Sequence, residues 1–294
     1  MKRLGLFLSL TCLSTFVAFG QNGASATINF PHVVNGTFGD LSMHTVVTVT
    51  NPSSSAVSYR VLCADDSGRD INGRYVIVGG APRADNVTID LVGGATSYSQ
   101  TIRTDPAFSG SCQVAASGPV IAQAIFEVFN NVTGQTVSLV GVSPSRGMNT
   151  FAFQVIQSFN ISAGMAVMSL SANGGIVSLA LYRMNGDLVD RKSLGVAGFG
   201  HFARFVDELF PGLPANFLGY VRVTSDVPVG VMALDLVGGL FASSPVFDLA
   251  AGAPAKAADT DAGERMPDAY AVIMVEDPLR LQSASLLRGV LATE

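Results

Sequence analysis

Two stretches about 110 residues apart align without a gap, and that repeat restricts the folds open to this chain more than any other feature. FSGSCQVAASGPVIAQAIF covers residues 108–126, and FLGYVRVTSDVPVGVMALD covers residues 217–235. They share Phe108/Phe217, Gly110/Gly219, Val114/Val223, Pro119/Pro228, Val120/Val229 and Ala124/Ala233. Composition alone gives about one identity over such a window, so the similarity reads as an internal repeat. The flanks agree with it. Ser143-Pro144 mirrors Ser244-Pro245, and AVSYRVLCADDSG (residues 56–68) resembles IVSLALYRMNG (residues 176–186). A period of this length is the size of a domain, which implies tandem modules and not a solenoid.

The local pattern within each copy is β. HTVVTVT (residues 44–50) is rich in β-branched residues and stops at the turn signal Asn51-Pro52. Residues 58–64 end at Asp65-Asp66-Ser67-Gly68, and residues 178–184 end at Asn185-Gly186, a strong hairpin signal. Short strands separated by Gly, Pro, Asn and Ser predict an all-β fold of two antiparallel β-sandwich modules, residues 21–145 and 146–250. The one helical candidate is ARFVDELF, residues 203–210, closed by Pro211-Gly212 and read as a short crossover helix or a 3₁₀ turn.

The two ends read differently. Met1-Lys2-Arg3 and the apolar run to Phe19 have the form of a secretory signal, residues 1–20, with Ala18-Phe19-Gly20 as the cleavage site. The expected location is therefore secreted, periplasmic or at the cell surface. After Ala250 the composition turns small and polar, a linker over residues 251–269, followed by an apolar strand or helix tail over residues 270–294. No further segment reaches the length of a membrane helix, so no span is expected in the mature chain. Loss of Lys2 and Arg3 with the leader takes the formal charge from −5 to −7, which argues against nucleic acid and anionic lipid as partners. Missing Trp argues against the aromatic girdles of an outer-membrane barrel and against an aromatic sugar platform.

Of three cysteines, Cys12 falls in the leader, and Cys63 with Cys112 are expected to form one disulfide in an oxidising compartment. Two buried thiols in separate strands are the alternative.

The module start Phe30-Pro31-His32, the strand end Thr50-Asn51-Pro52, the run GHFARFVDELFP at residues 200–211, Phe217-x-Gly219 and Pro228-Val229 together resemble secreted bacterial tandem β-sandwich, Ig-like repeat proteins of unknown function. The resemblance covers most of residues 30–246 and not the tail, and the first copy lacks a counterpart of ARFVDELFP. Its motifs are structural punctuation and imply no activity.

Signatures of catalysis are sparse. The histidines are His32, His44 and His201, and no zinc, phosphate-loop or nucleophile-elbow motif occurs. The best catalytic constellation is His201 as a base oriented by Asp207 or Glu208, beside a Ser from a neighbouring strand. The competing interpretation puts His201 on a strand face and Asp207 and Glu208 on the polar side of a short helix. Asp66, Asp70 and Asn72 before Gly73 have the oxygen spacing of a calcium loop, without the closing bidentate Glu, and serve equally as turn residues. No cofactor is expected. The expected function is non-enzymatic: a secreted or surface structural or adhesive protein contacting an unknown protein or surface polymer. A secreted hydrolase using His201, and an assembly protein whose apolar tail strand adds to a neighbour's sheet edge, are the alternatives.

Overall fold

The computed structural model describes residues 24–71, 76–78, 81–82, 88–101 and 107–250. The expected leader, linker and tail, and Asn72, lie outside the described residues. The first sheet holds β1 (Ser25–Phe38), β2 (Leu41–Thr50), β3 (Val57–Ala64), β4 (Val76–Val78), β5 (Ala81–Pro82), β6 (Ile89–Leu91), β7 (Thr96–Thr101), β8 (Phe108–Asn130) and β9 (Gln135–Val142). The second holds β10 (Met148–Gln157), β11 (Ile161–Ser169), β12 (Gly175–Arg183), β13 (Leu188–Val196), β14 (His201–Phe205), β15 (Phe217–Val237), β16 (Leu240–Ser244) and β17 (Val246–Asp248). The described helix is one turn, α1 (Val206–Leu209); residues 203–205 of the expected helical stretch belong to β14 instead. Every strand pairing is antiparallel, so the all-β, two-module expectation holds.

The repeated sequence stretches are the long strands β8 and β15, and each is the spine of its sheet. The first half of β8 pairs with β1 and β3, and the second half with β2 and β9. The first half of β15 pairs with β10 and β12, and the second half with β11 and β16. The shared prolines Pro119 and Pro228 fall where each spine changes partners. Proline has no N–H to give to a ladder, so it is tolerated where pairing is interrupted and the strand can turn from one layer to the other. The correspondence continues past the Ser-Pro pairs. Ser145 bridges to Asn29 of β1, just as β17 pairs with β10.

Burial along the spine of the second sheet shows how the modules join. From Phe217 to Thr224 buried and exposed residues alternate, the pattern of a sheet with one face in solvent. From Val229 to Leu234 every residue is buried, and all nine residues of β11 are buried too. One set, including Met165, Val167, Val231 and Ala233, packs into the second module's own core. The other set, including Ala166, Met232, Leu234 and Leu236, joins Ala203, Phe205 and Phe241 in the cluster that contains Phe30, Val33 and Phe126 of the first module. The part of the second module's sheet built from β11, β14 and the second half of β15 is thus covered on both faces, and the first module supplies one cover.

Cys63 and Cys112 are register partners on β3 and β8 and form the expected disulfide. No described helix is long and apolar enough to cross a membrane.

A buried Asp–His–His relay across the module seam as candidate functional site

Strand parity delivers His201 to the seam. In β14, Phe202 faces the second module's core, whereas Ala203 and Phe205 belong to the shared cluster, so His201 shares their side. Opposite stands β1, whose pairing with β8 slips between Phe30 and Val33. Such an irregularity re-aims a side chain, and here it lies at Pro31-His32. The result is a contact between residues 169 apart in sequence: His32 Nδ1 lies 3.0 Å from His201 Nε2. The rings are nearly parallel, with centroids 5.2 Å apart, and His32 also meets the Phe126 ring edge-on at 5.4 Å.

The other nitrogen of His201 reaches a carboxylate. Nδ1 lies 2.7 Å from Asp66 Oδ1, and the backbone amide of His201 donates to the Asp66 carbonyl at 3.3 Å. Asp66 is held in place by its neighbour. Asp65 Oδ1 accepts from the Ser67 hydroxyl and from the amides of Ser67 and Arg69, closing the turn that follows β3. Burial would raise the Asp65 carboxyl; those hydrogen bonds and the Arg69 charge outweigh it and hold the group below its ordinary value.

Donor and acceptor roles follow from the partners. A carboxylate only accepts, so His201 donates from Nδ1, while its Nε2 and His32 Nδ1 share one proton between them. The other nitrogen of His32, Nε2, has no hydrogen-bond partner among the described residues. His32 is enclosed, and burial first, then the proximity of His201, hold its pKa well below the usual 6.5. Asp66, with a side chain 38% exposed, is the end of the relay that meets water; the His201 side chain is fully covered.

Glycines allow the two loops to touch. Gly68 has φ of +80°, and a Cβ there would fall on the Gly198 carbonyl oxygen. A Cβ on Gly200 would meet the Asp66 carbonyl, and one on Gly198 the carbonyl of Ala172. Between them Phe199 holds φ of 53°, an uncommon conformation for a bulky residue, with its ring 53% exposed.

The other candidates lie elsewhere. Asp207 accepts from the Gln157 side chain at 3.2 Å, and Glu208 Oε2 caps the Phe205 amide at 2.8 Å; both belong to the start of α1, while His201 has taken Asp66 as its carboxylate. No serine hydroxyl occupies the second nitrogen of His201, which faces His32. Of the calcium-loop residues, Asp66 points to His201 and Asp70 pairs with Ala64 beside β3; among the described residues no group of three His, Cys, Asp or Glu side chains converges on one point. A second His–carboxylate pair, unforeseen in sequence, joins register partners on β2 and β8: His44 Nε2 to Glu127 Oε2 at 2.9 Å. Half-buried Asp235, hydrogen-bonded to Ser244, has its carboxyl pushed up by desolvation against that bond.

No protein family matches the chain, and neither a curated protein nor a solved structure shows significant similarity to it.

Proposed function

We propose that this chain is an exported, non-catalytic scaffold in which two β modules are held in one fixed arrangement to present loops and sheet edges to another macromolecule. The observation that carries this reading is the relay itself. Both nitrogens of its central histidine are committed to contacts that bridge the modules, and the histidine is covered. A general base needs a free nitrogen within reach of a substrate proton. Here the group best suited to that role is used to brace the seam.

The hydrolase reading draws on the same Asp66–His201 contact, whose length suits a base and its orienting carboxylate. It lacks a hydroxyl at the far nitrogen. Strand addition draws on β13, which among the described residues pairs only with β12 and is exposed along most of its length. Asp190, Arg191 and Lys192 on that strand are the kind of charges that discourage edge pairing.

The test compares the full chain with His201→Gln in denaturant unfolding and in hydrolysis of ester, glycoside and peptide substrates. The scaffold reading expects the variant to lose about 2 kcal/mol of stability, because buried polar partners are left unsatisfied, and expects no turnover by either protein. Turnover by the native chain that the variant abolishes would sink it.

A further inference from the structure

The five strands β17, β10, β15, β12 and β13 present one face away from the second module's core. Phe151, Phe153, Val221, Val223, Leu179 and Leu181 are buried inward, so their strand neighbours point outward. The register places those neighbours in rows. One row runs Phe247, Ala152, Arg222, Ala180, Arg191 across all five strands. The next runs Gln154, Tyr220, Tyr182, Leu188, with the two tyrosine rings stacked at 5.0 Å and 11°. Beyond Tyr220 comes Leu218, 49% exposed; Phe247 is 48% and Leu188 46% exposed.

This surface has the make-up of an interface core. Tyrosine and arginine are enriched among the residues that anchor partners, and Leu218, Phe247 and Leu188 add exposed apolar side chains beside them. Its charge is also distinctive. The chain is acidic overall, yet these rows carry two arginines and no carboxylate, and neither guanidinium has an ion-pair partner among the described residues.

We propose that this face seats the chain's own C-terminal segment, residues 268–277. Residues 270–275 are YAVIMV, uncharged and apolar, and carboxylates bracket them: Asp268 before, Glu276 and Asp277 after. That pattern complements an apolar and aromatic row lying beside two arginines. The chain also leaves from the right place. The described residues end at Ala250, two residues past β17, the strand that borders this face. The connection over residues 251–269 is rich in small residues, and the coil dimensions of a chain that long amount to about 25 Å. Five strands span about 19 Å, so the segment can reach any row without leaving its own molecule.

The test uses the full-length chain with a photo-crosslinking side chain in place of Leu218 and maps the products by mass spectrometry. The expected product has monomer mass and joins position 218 to residues 268–277. The double reversal Glu276→Arg with Asp277→Arg, which leaves the sheet untouched, lowers the yield about fivefold, the scale of an exposed ion pair of about 1 kcal/mol. Adding Arg191→Glu and Arg222→Glu to that variant restores it. Links from position 218 only to other segments overturn the proposal, as does a yield indifferent to the tail reversal. A dimer-mass product carrying the expected link also overturns it, by assigning the face to a second copy.

Discussion

His32 shows how much a single position can owe to its surroundings. As a residue in the chain it is one histidine after a proline; in the fold it is a neutral imidazole closed off from water and bonded to a second imidazole. Its pKa is depressed by burial and by His201, so its contribution to stability has a definite sign. The unfolded chain binds the proton near pH 6.5 and the folded chain only well below that, so the contribution is complete above about pH 6.5 and is lost as pH falls from there towards the folded value. The groups that face the ring are His201, Asp66 through His201, and the uncharged edge of Phe126. Denaturant unfolding between about pH 7 and pH 5 is expected to show falling stability, with His32→Gln flattening the slope because glutamine does not titrate there. An unchanged slope in that variant would move the effect to another group. Asp66 was visible in the sequence as a turn residue and a cation-ligand candidate, and His201 as a base. Their pairing was not visible, since 135 residues separate them and no local pattern encodes the contact.

At the scale of elements, the seam depends on loops whose backbones approach closely. Gly198 and Gly186 make a useful contrast. Gly186 sits in an open turn at φ of +86°, where an added methyl meets nothing, so Gly186→Ala costs only the left-handed backbone penalty of about 1 kcal/mol. At Gly198 the same methyl lands on the backbone of Ala172, so either the β11–β12 connection or the loop leading into His201 must move. Gly198→Ala is therefore expected to cost more than about 2 kcal/mol, measured by chemical denaturation. Equal losses at the two positions would mean that the close packing of these loops contributes little. The strands themselves were largely legible: turn signals such as Asn51-Pro52 and Asn185-Gly186 mark real strand ends. The helical stretch expected at residues 203–210 is only partly helical. Residues 203–205 continue β14, where alternate residues serve two different cores, and only Val206–Leu209 turns helical.

For the whole molecule, the consequence of a shared cluster is cooperativity. Residues of β11, β14, β15 and β16 belong to the same apolar cluster as the first module's core, so exposing one module strips cover from the other. Calorimetry is expected to give a single unfolding transition under oxidising conditions, and two resolved transitions would contradict the shared core. Reducing Cys63–Cys112 releases a loop with a sequence separation of 49 and is expected to lower stability by about 4 kcal/mol in the chain-entropy view, dragging both modules down together.

By itself the sequence determined the strand content and the internal repeat, and it offered the cysteine pair that the register then brought together. These rest on local chemistry: β-branched runs, turn residues, and prolines at equivalent points of two spines. The tertiary structure alone decided which face of the second sheet the first module covers, and that His32, Asp66 and His201 form one relay. Alternation along a strand identifies a buried face only while the other meets water. Once both faces are buried, as along β11, the pattern becomes a continuous apolar run that does not name its partner. The relay is more hidden still, because three short polar contacts between distant segments exist only after two sheets have docked.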